Sequence, residues 1–308
     1  EIRAMKAAGY RGDFAAAVTV ASAVIGPLIP PSIGMVIYAF LAQQSIERMF
    51  LAGLVPGVLV GLALMTYVRI QAIFTPFPTQ PRASMTEVVS SGRHGFLALL
   101  APGIILSSIM FGLVTATEAG VLASLYCILL GFWYGELTWK KFWQAMTDSA
   151  MMTSVIMIII AFSIAMGWLL AIEQAPQKIA EHVFALTESK TVFLGLLIVF
   201  ILLVGCVVEG VPAKLILVPT LLPLIDAYGI DRVHFGVIMS LGLLIGIATP
   251  PMGIGLYIVS EVGRVRLEKV TLAVLPFLVP LILALILISF ILPFATLILL
   301  ILVLFIFL

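Results

Sequence analysis

The sequence predicts an all-α polytopic membrane protein, built on an inverted repeat with a re-entrant hairpin and broken helices. Three observations carry this. Apolar residues make up 63% of the chain and charged ones 10%, against roughly 45–50% and about 25% in soluble domains. Several apolar stretches exceed the roughly 20 residues needed to cross the hydrocarbon core. Residues 9–62 and 229–282 also read as one segment written twice, at an offset of 220 without a gap. Gly9, Ile25, Gly26, Pro30, Pro31 and Pro56 fall on Gly229, Ile245, Gly246, Pro250, Pro251 and Pro276. All but one of these pairs are Gly or Pro, the residues that set backbone geometry.

Each element can be read in turn. A broken helix runs from about Asp13 to Phe40, split by Pro30-Pro31, and a polar turn follows. Phe50–Phe74 is a full span. The prolines of TPFPTQP at 75–81 exclude a helix, and with residues 82–94 this makes the longest hydrophilic loop, taken as the boundary between halves. Two spans follow, about 95–112 and 117–135, joined at Thr115–Glu118, which has the spacing of a capping box. Residues 138–148 read as a short interfacial helix with Trp139 and Trp143 one turn apart. Ala150–Ala171 is a span, and 174–187 a second interfacial helix. The apolar run 195–208 is short for a crossing and is broken at Glu209-Gly210-Val211-Pro212, so 195–226 reads as a re-entrant hairpin. The second broken helix is 234–258, and the next span begins near Leu272. The counterpart of 195–226 falls almost wholly before residue 1. The chain is therefore expected to lack on the order of 120 residues of an inverted-repeat protein.

Charge gives the orientation. With the hairpin counted as a return, eleven Lys and Arg residues, from Arg3 to Lys269, fall on the side of residues 1–12. Four (Arg48, Lys178, Lys190, Arg232) fall opposite, and Lys214 lies inside the hairpin. By the positive-inside rule residues 1–12 are cytoplasmic, and the two broken helices run in opposite directions.

The proline pairs supply the chemistry. Pro30-Pro31-Ser32 and Thr249-Pro250-Pro251 remove backbone donors in mid-membrane and leave carbonyls without helical partners. A bare carbonyl in lipid costs several kcal/mol. A small cation such as Na+ satisfies such oxygens, with the hydroxyls of Ser32 and Thr249 and the negative end of the preceding half-helix. The N-terminus of the following half-helix offers free N–H groups to an anion. Gly26 and Gly246 precede the prolines by four residues, giving room for a hairpin backbone or an exposed carbonyl. Gly242, Gly253 and Gly255 are weaker candidates. Glu209, a carboxylate deep in the hairpin, is expected to attract an ion or hold the tip, against the plainer reading of a local cap. Asp226, Asp231 and His234 are expected to be solvated at a membrane edge. Trp133, Trp139, Trp143 and Trp168 read as interface anchors or packing. Cys127 and Cys206 read as inert membrane thiols.

Other classes are excluded or weakened. The net charge of +1 carries no nucleic-acid signal. No G-x-S-x-G, H-E-x-x-H, P-loop or His/Cys cluster is present, so no enzyme and no transition-metal site is expected.

AMKAAGYRGDFAAAVTVASAVIGPLIPPSIGMVIYAF (4–40), FLAGLVPGVLVGLALM (50–65), GLVTATEAGVLAS (112–124) and GIDRVHFGVIMSLGLLIGIATPPMGIGLY (229–257) resemble the large membrane subunit of TRAP transporters, the tripartite ATP-independent periplasmic (DctM-like) family. The resemblance runs to about Pro293. It implies an elevator-type transporter of the wider ion-transporter kind in the bacterial inner membrane. Inward sodium flow would drive uptake of an organic anion: a C4-dicarboxylate, another carboxylate or a sialic acid. It implies no cofactor beyond Na+ as coupling ion, and two partners: a small four-helix membrane subunit (DctQ-like) and a periplasmic binding protein (DctP-like). By position, one sodium site would use the hairpin around Val208–Val211, including Gly210, and the break from Gly246 through Thr249 and Pro250 to Pro251. The other would use Gly26, Pro30 and Ser32, with its hairpin partner upstream. The substrate would meet Pro31, Ser32, Glu209, Thr249 and Pro251. Gly242 stands where the family often has Asn. The implied division is 1–42 (first broken helix), 43–94 (scaffold span and central loop), 95–190 (scaffold helices), 191–260 (hairpin and second broken helix) and 261–308 (last span and tail). Leu272–Leu308 is too long for one span, at roughly 55 Å as a helix. The rival readings are a stand-alone sodium/dicarboxylate symporter and a passive channel subunit.

Overall fold

The computed structural model describes residues 1–78, 84–174 and 187–291. The expected interfacial helix at 174–187, part of the 75–94 loop and the apolar tail 294–308 lie largely or wholly outside them. The described residues form α-helices: α1 (Ile2–Ala7), α2 (Gly12–Ala23), α3 (Ile33–Ala42), α4 (Ile46–Phe74), α5 (Met85–Met110), α6 (Ala116–Trp133), α7 (Trp139–Ile172), α8 (Lys190–Val207), α9 (Gly210–Ala227), α10 (Arg232–Ile247), α11 (Ile254–Gly263) and α12 (Leu267–Phe290). Six are long and apolar enough to cross a membrane, or seven with the bent α5. The protein is all-α and polytopic. Two compact units form: Glu1–Thr79 with Ala165–Leu308, and Gln80–Ile164.

The first unit holds both broken helices. The first is α2 and α3, followed by α4; the second is α10 and α11, followed by α12. Gly9 and Gly229, at positive φ of 91° and 60°, open the two copies. Gln43 and Arg264 close α3 and α11 in the left-handed region. The elements that follow the breaks correspond at an offset of 221 rather than 220: α3 and α11 start at Ile33 and Ile254, α4 and α12 at Ile46 and Leu267. This corrects the gapless alignment. The extra residue is Met252, between the proline pair and the cap of α11, where a loop absorbs it without turning a helix face.

The copies lie antiparallel. Near the start of the first, Lys6 Nζ donates to Gly263 O at the end of α11, 3.1 Å away. At the other end, Arg232 in the first turn of α10 donates to Ala42 O at the end of α3 (3.2 Å). There Tyr38 Oη also donates to Arg232 O (2.5 Å). α10 is the core of the unit, buried on nearly every face from His234 to Gly246. A helix apolar all round is what a fully enclosed position requires.

α8 and α9 form a hairpin closed at its base. Lys190 Nζ donates to Gly229 O (2.6 Å), Tyr228 Oη donates to Thr187 O (2.7 Å), and the Phe193 and Tyr228 rings stack at 4.0 Å. Its tip is Val208–Glu209. The arms are longer than the sequence suggested: each has 18 residues, and Pro219 and Pro223 do not interrupt α9. The expectation that 195–208 is too short for a crossing is thereby corrected, because α8 already begins at Lys190, five residues before the apolar run. His234 is a second correction. It is buried, with Nε2 3.0 Å from Ile288 O on α12, while Asp226 and Asp231 are exposed as expected.

In the second unit, α5 packs on α6, and Tyr126 Oη donates to Leu97 O (2.7 Å). α5 bends by 56° between Met85–Arg93 and Gly95–Met110. The expected loop to residue 94 is shorter than predicted, because Ser84 and Glu87 form a capping box that starts the helix at Met85. The Thr115–Glu118 capping box is present as expected: Thr115 N donates to Glu118 Oε2 at 2.7 Å. The separate interfacial helix 138–148 and span 150–171 are one helix, α7. Nothing between Thr147 and Met151 removes a donor or relaxes the backbone, so the helix runs on. The four tryptophans are exposed.

Candidate functional site: two proline breaks and a hairpin tip

In the first break the last turn of α2 loosens at Val24 and Ile25, and Leu28 and Ile29 both donate to Ile25 O (3.0 and 3.1 Å). The Pro30–Pro31 peptide is cis. Ser32 then caps α3: its Oγ accepts from Met35 N (3.3 Å) and donates to Pro27 O (2.5 Å). The carbonyls of Gly26, Leu28, Ile29 and Pro30 receive no hydrogen bond among the described residues.

The second break is tighter. Ala248 N donates to Ile245 O (3.0 Å), Thr249 N to Gly246 O (2.9 Å), and Gly253 N to Thr249 O (3.1 Å). The Pro250–Pro251 peptide is cis. Thr249 Oγ1 donates to Ile245 O (2.7 Å). The carbonyls of Ile247, Ala248 and Pro250 are bare among the described residues. A hydroxyl has one hydrogen and two lone pairs. Thr249 thus keeps both lone pairs, and Ser32 keeps one.

The two arms of the hairpin reach the two broken helices at different places. Arm α8 touches α10 where Gly205 and Gly246 meet backbone to backbone, and a Cβ on Gly205 would sit 2.8 Å from Leu243 O. Arm α9 touches α3, where Lys214 Nζ donates to Gly34 O (3.1 Å). At the tip, the carbonyls of Cys206 and Val207 receive no hydrogen bond among the described residues. Bare carbonyls from the tip and from the second break therefore flank one close contact. They are hard oxygen donors of the kind that suit an alkali cation. Among the described residues no cluster of His, Cys, Asp or Glu could hold a metal.

The remaining predicted residues fall as follows. Glu209 is exposed at the tip, and the local cap considered for it is not formed. Gly210 opens α9 with open space around it, and Gly26 is exposed, with only Ala23 O near, at 3.8 Å. Pro31 and Pro251 are exposed, while Pro30 is buried and Pro250 half-buried. Gly242 gives room to Ile201 of α8, whose Cγ2 would be 2.8 Å from an added methyl. Gly253 folds over Ile247 O, and Gly255 packs against Val20 of α2.

Two features were missed from the sequence. Gly205 carried no repeat partner to draw notice. Lys214 shows in the sequence only as a charge inside the hairpin.

Comparison with known proteins decides the family. The model of the DctM component of the tripartite ATP-independent periplasmic transporter matches residues 1–307. The chain belongs to the DctM family. The sialic acid TRAP transporter large permease protein SiaM of Vibrio cholerae is 41% identical over 290 residues, covering 94% of this chain and 68% of the relative. The sialic acid TRAP transporter permease protein SiaT of Haemophilus influenzae is 37% identical over 290 residues, covering 94% of this chain and 47% of the relative. The C4-dicarboxylate TRAP transporter large permease protein DctM of Pseudomonas aeruginosa is 36% identical over 291 residues, covering 94% and 68%. The chain thus spans between about half and two thirds of these relatives' length. With its apolar helices, membership in the DctM family makes this a multi-pass protein of the inner membrane.

Proposed function

We propose that this chain is the transporting part of a sodium-driven importer of small carboxylates, fed by a periplasmic binding protein and assembled with a small membrane subunit. One observation supports this most. Two proline-split crossings lie antiparallel, and the two arms of one hairpin meet them, α8 at the second break and α9 at the half-helix that follows the first. That geometry sets bare carbonyls and helix N-termini side by side, one kind for a cation and the other for an anion. Na+ would be held by carbonyls at Cys206–Val207 and Ile247–Pro250 with Thr249 Oγ1, and a second ion by the Gly26–Pro30 carbonyls with Ser32. The anion would sit at the tip between Ser32 and Thr249. The hairpin is re-entrant, residues 1–12 are cytoplasmic, and hairpin and broken helices move together as an elevator. The relatives' sialic acid and C4-dicarboxylates both carry carboxylates, which fits an anion site of this kind.

The test is uptake by the full-length subunit in proteoliposomes, with its small subunit and with or without the binding protein. The expected result is uptake only when the loaded binding protein is present. Equal uptake of free substrate without it would establish the stand-alone symporter instead.

A further inference from the structure

Lys214 is 5% exposed, in the first turns of hairpin arm α9. A lysine in a membrane segment normally snorkels its ammonium out to water. This one turns inward and donates to Gly34 O of α3 (3.1 Å). An ammonium has three N–H donors, so two remain. Among the described residues the ion pairs are Arg11–Asp13 and Arg232–Asp226; no carboxylate oxygen there lies within ion-pair distance of Lys214, and Glu209 at the hairpin tip acts on it only from a longer range. A buried charge without a partner costs several kcal/mol, and an ionisable group inside a membrane segment marks a functional site.

What Lys214 faces sharpens this. Gly34 lies in the first turn of α3, at the positive end of the half-helix. Ile33 and Gly34 donate their backbone N–H groups to nothing among the described residues. Gly34 has no side chain to fill the space: a methyl there would stand 2.8 Å from Lys214 Nζ and 3.9 Å from Ser32 Oγ. A buried cation and the N-terminal turn of a helix thus lie side by side. Alone they repel each other; with an anion between them, both are satisfied.

We propose that Lys214 binds a carboxylate of the transported anion, together with the free N–H groups of Ile33 and Gly34. This rests on the transport reading and extends it. The anion is held where arm α9 meets the first broken helix. The sodium carbonyls of the second break lie where arm α8 meets the second. Cation and anion thus grip different arms of one hairpin.

Two measurements on the full-length subunit test it. The first is the melting temperature of purified, substrate-free Lys214→Met, which keeps length and removes charge. An uncompensated ammonium predicts a melting temperature equal to or above that of wild type. A fall would show that the ammonium is already compensated in the substrate-free protein, and would overturn the proposal. The second is uptake of radiolabelled sialic acid and of succinate, presented by the binding protein. Lys214→Met is expected to raise the KM for the transported probe by about tenfold to a hundredfold, the worth of a charged hydrogen bond, with sodium half-saturation unchanged. Lys214→Arg keeps the charge and recovers part of the loss. An unchanged KM in Lys214→Met overturns the proposal. Wild-type uptake of neither probe counts against the transport reading, while the melting comparison still judges the lysine.

Discussion

The break at 24–31 and the break at 248–252 share a proline pair, a glycine four residues before it and a half-helix after it, yet they are covered by different things. Gly246 lies against the backbone of Gly205, so the second break is sealed by hairpin arm α8. Gly26, its repeat partner, meets almost open space. The first break is instead covered by α4: an added methyl on Gly53 would stand 2.5 Å from Leu28 O, and one on Gly57 2.5 Å from Ile29 Cγ1. The same residue at a repeated position can therefore do different work. The prolines repeat because each copy stops a helix at the same point of its own sequence. The neighbours differ because each copy is packed by a different element.

The largest effect separates the two glycines. Gly246→Ala drives a methyl into the backbone of Gly205, and backbone cannot swing aside as a side-chain end can. The expected loss is about 1–3 kcal/mol or more, read as a lowered melting temperature. Gly26→Ala should change stability by no more than about 0.5 kcal/mol. Equal losses at both sites would break the comparison. Gly53→Ala comes next, because the methyl meets Leu28 O but also Met35 Cε, a flexible end that can move. A loss of about 1–2 kcal/mol is expected, with the first break disturbed and the second intact.

Smaller effects concern the ions. Thr249→Ala removes a hydroxyl with two uncommitted lone pairs and should raise the sodium concentration for half-maximal uptake by roughly threefold to tenfold. Ser32→Ala should do the same and also cost about 1 kcal/mol as a lost helix cap. The paired measurement is sodium dependence beside melting temperature, and only Ser32→Ala should move both. Glu209→Gln is expected to have the smallest effect, a change in sodium half-saturation of about twofold that fades at high ionic strength, since an exposed charge is screened. A salt-independent effect would mean that Glu209 touches an ion directly.

How much was legible follows the physics of each residue. Pro30, Pro31, Pro250 and Pro251 announce their consequence locally, because a proline removes its own donor whatever surrounds it. The breaks and the Thr115–Glu118 cap are therefore readable, while the opposite direction of the copies is legible in the loop charges. Ser84–Glu87 carries the same capping pattern but was hidden by the polar residues around it. α7 reads as two elements in the sequence because the polarity at 138–148 resembles a boundary, whereas helices end at lost hydrogen bonds. The approach of Gly205 to Gly246, the stacking of Phe193 on Tyr228 and the inward turn of Lys214 are contacts across the fold. No local pattern encodes them.

The most direct test of the central idea, that carbonyls bared by antiparallel proline breaks hold a coupling ion, is uptake by the full-length complex with its binding protein when external sodium is replaced by choline. The account predicts that uptake stops and that it follows an imposed sodium gradient. Flux unaffected by the replacement would contradict it.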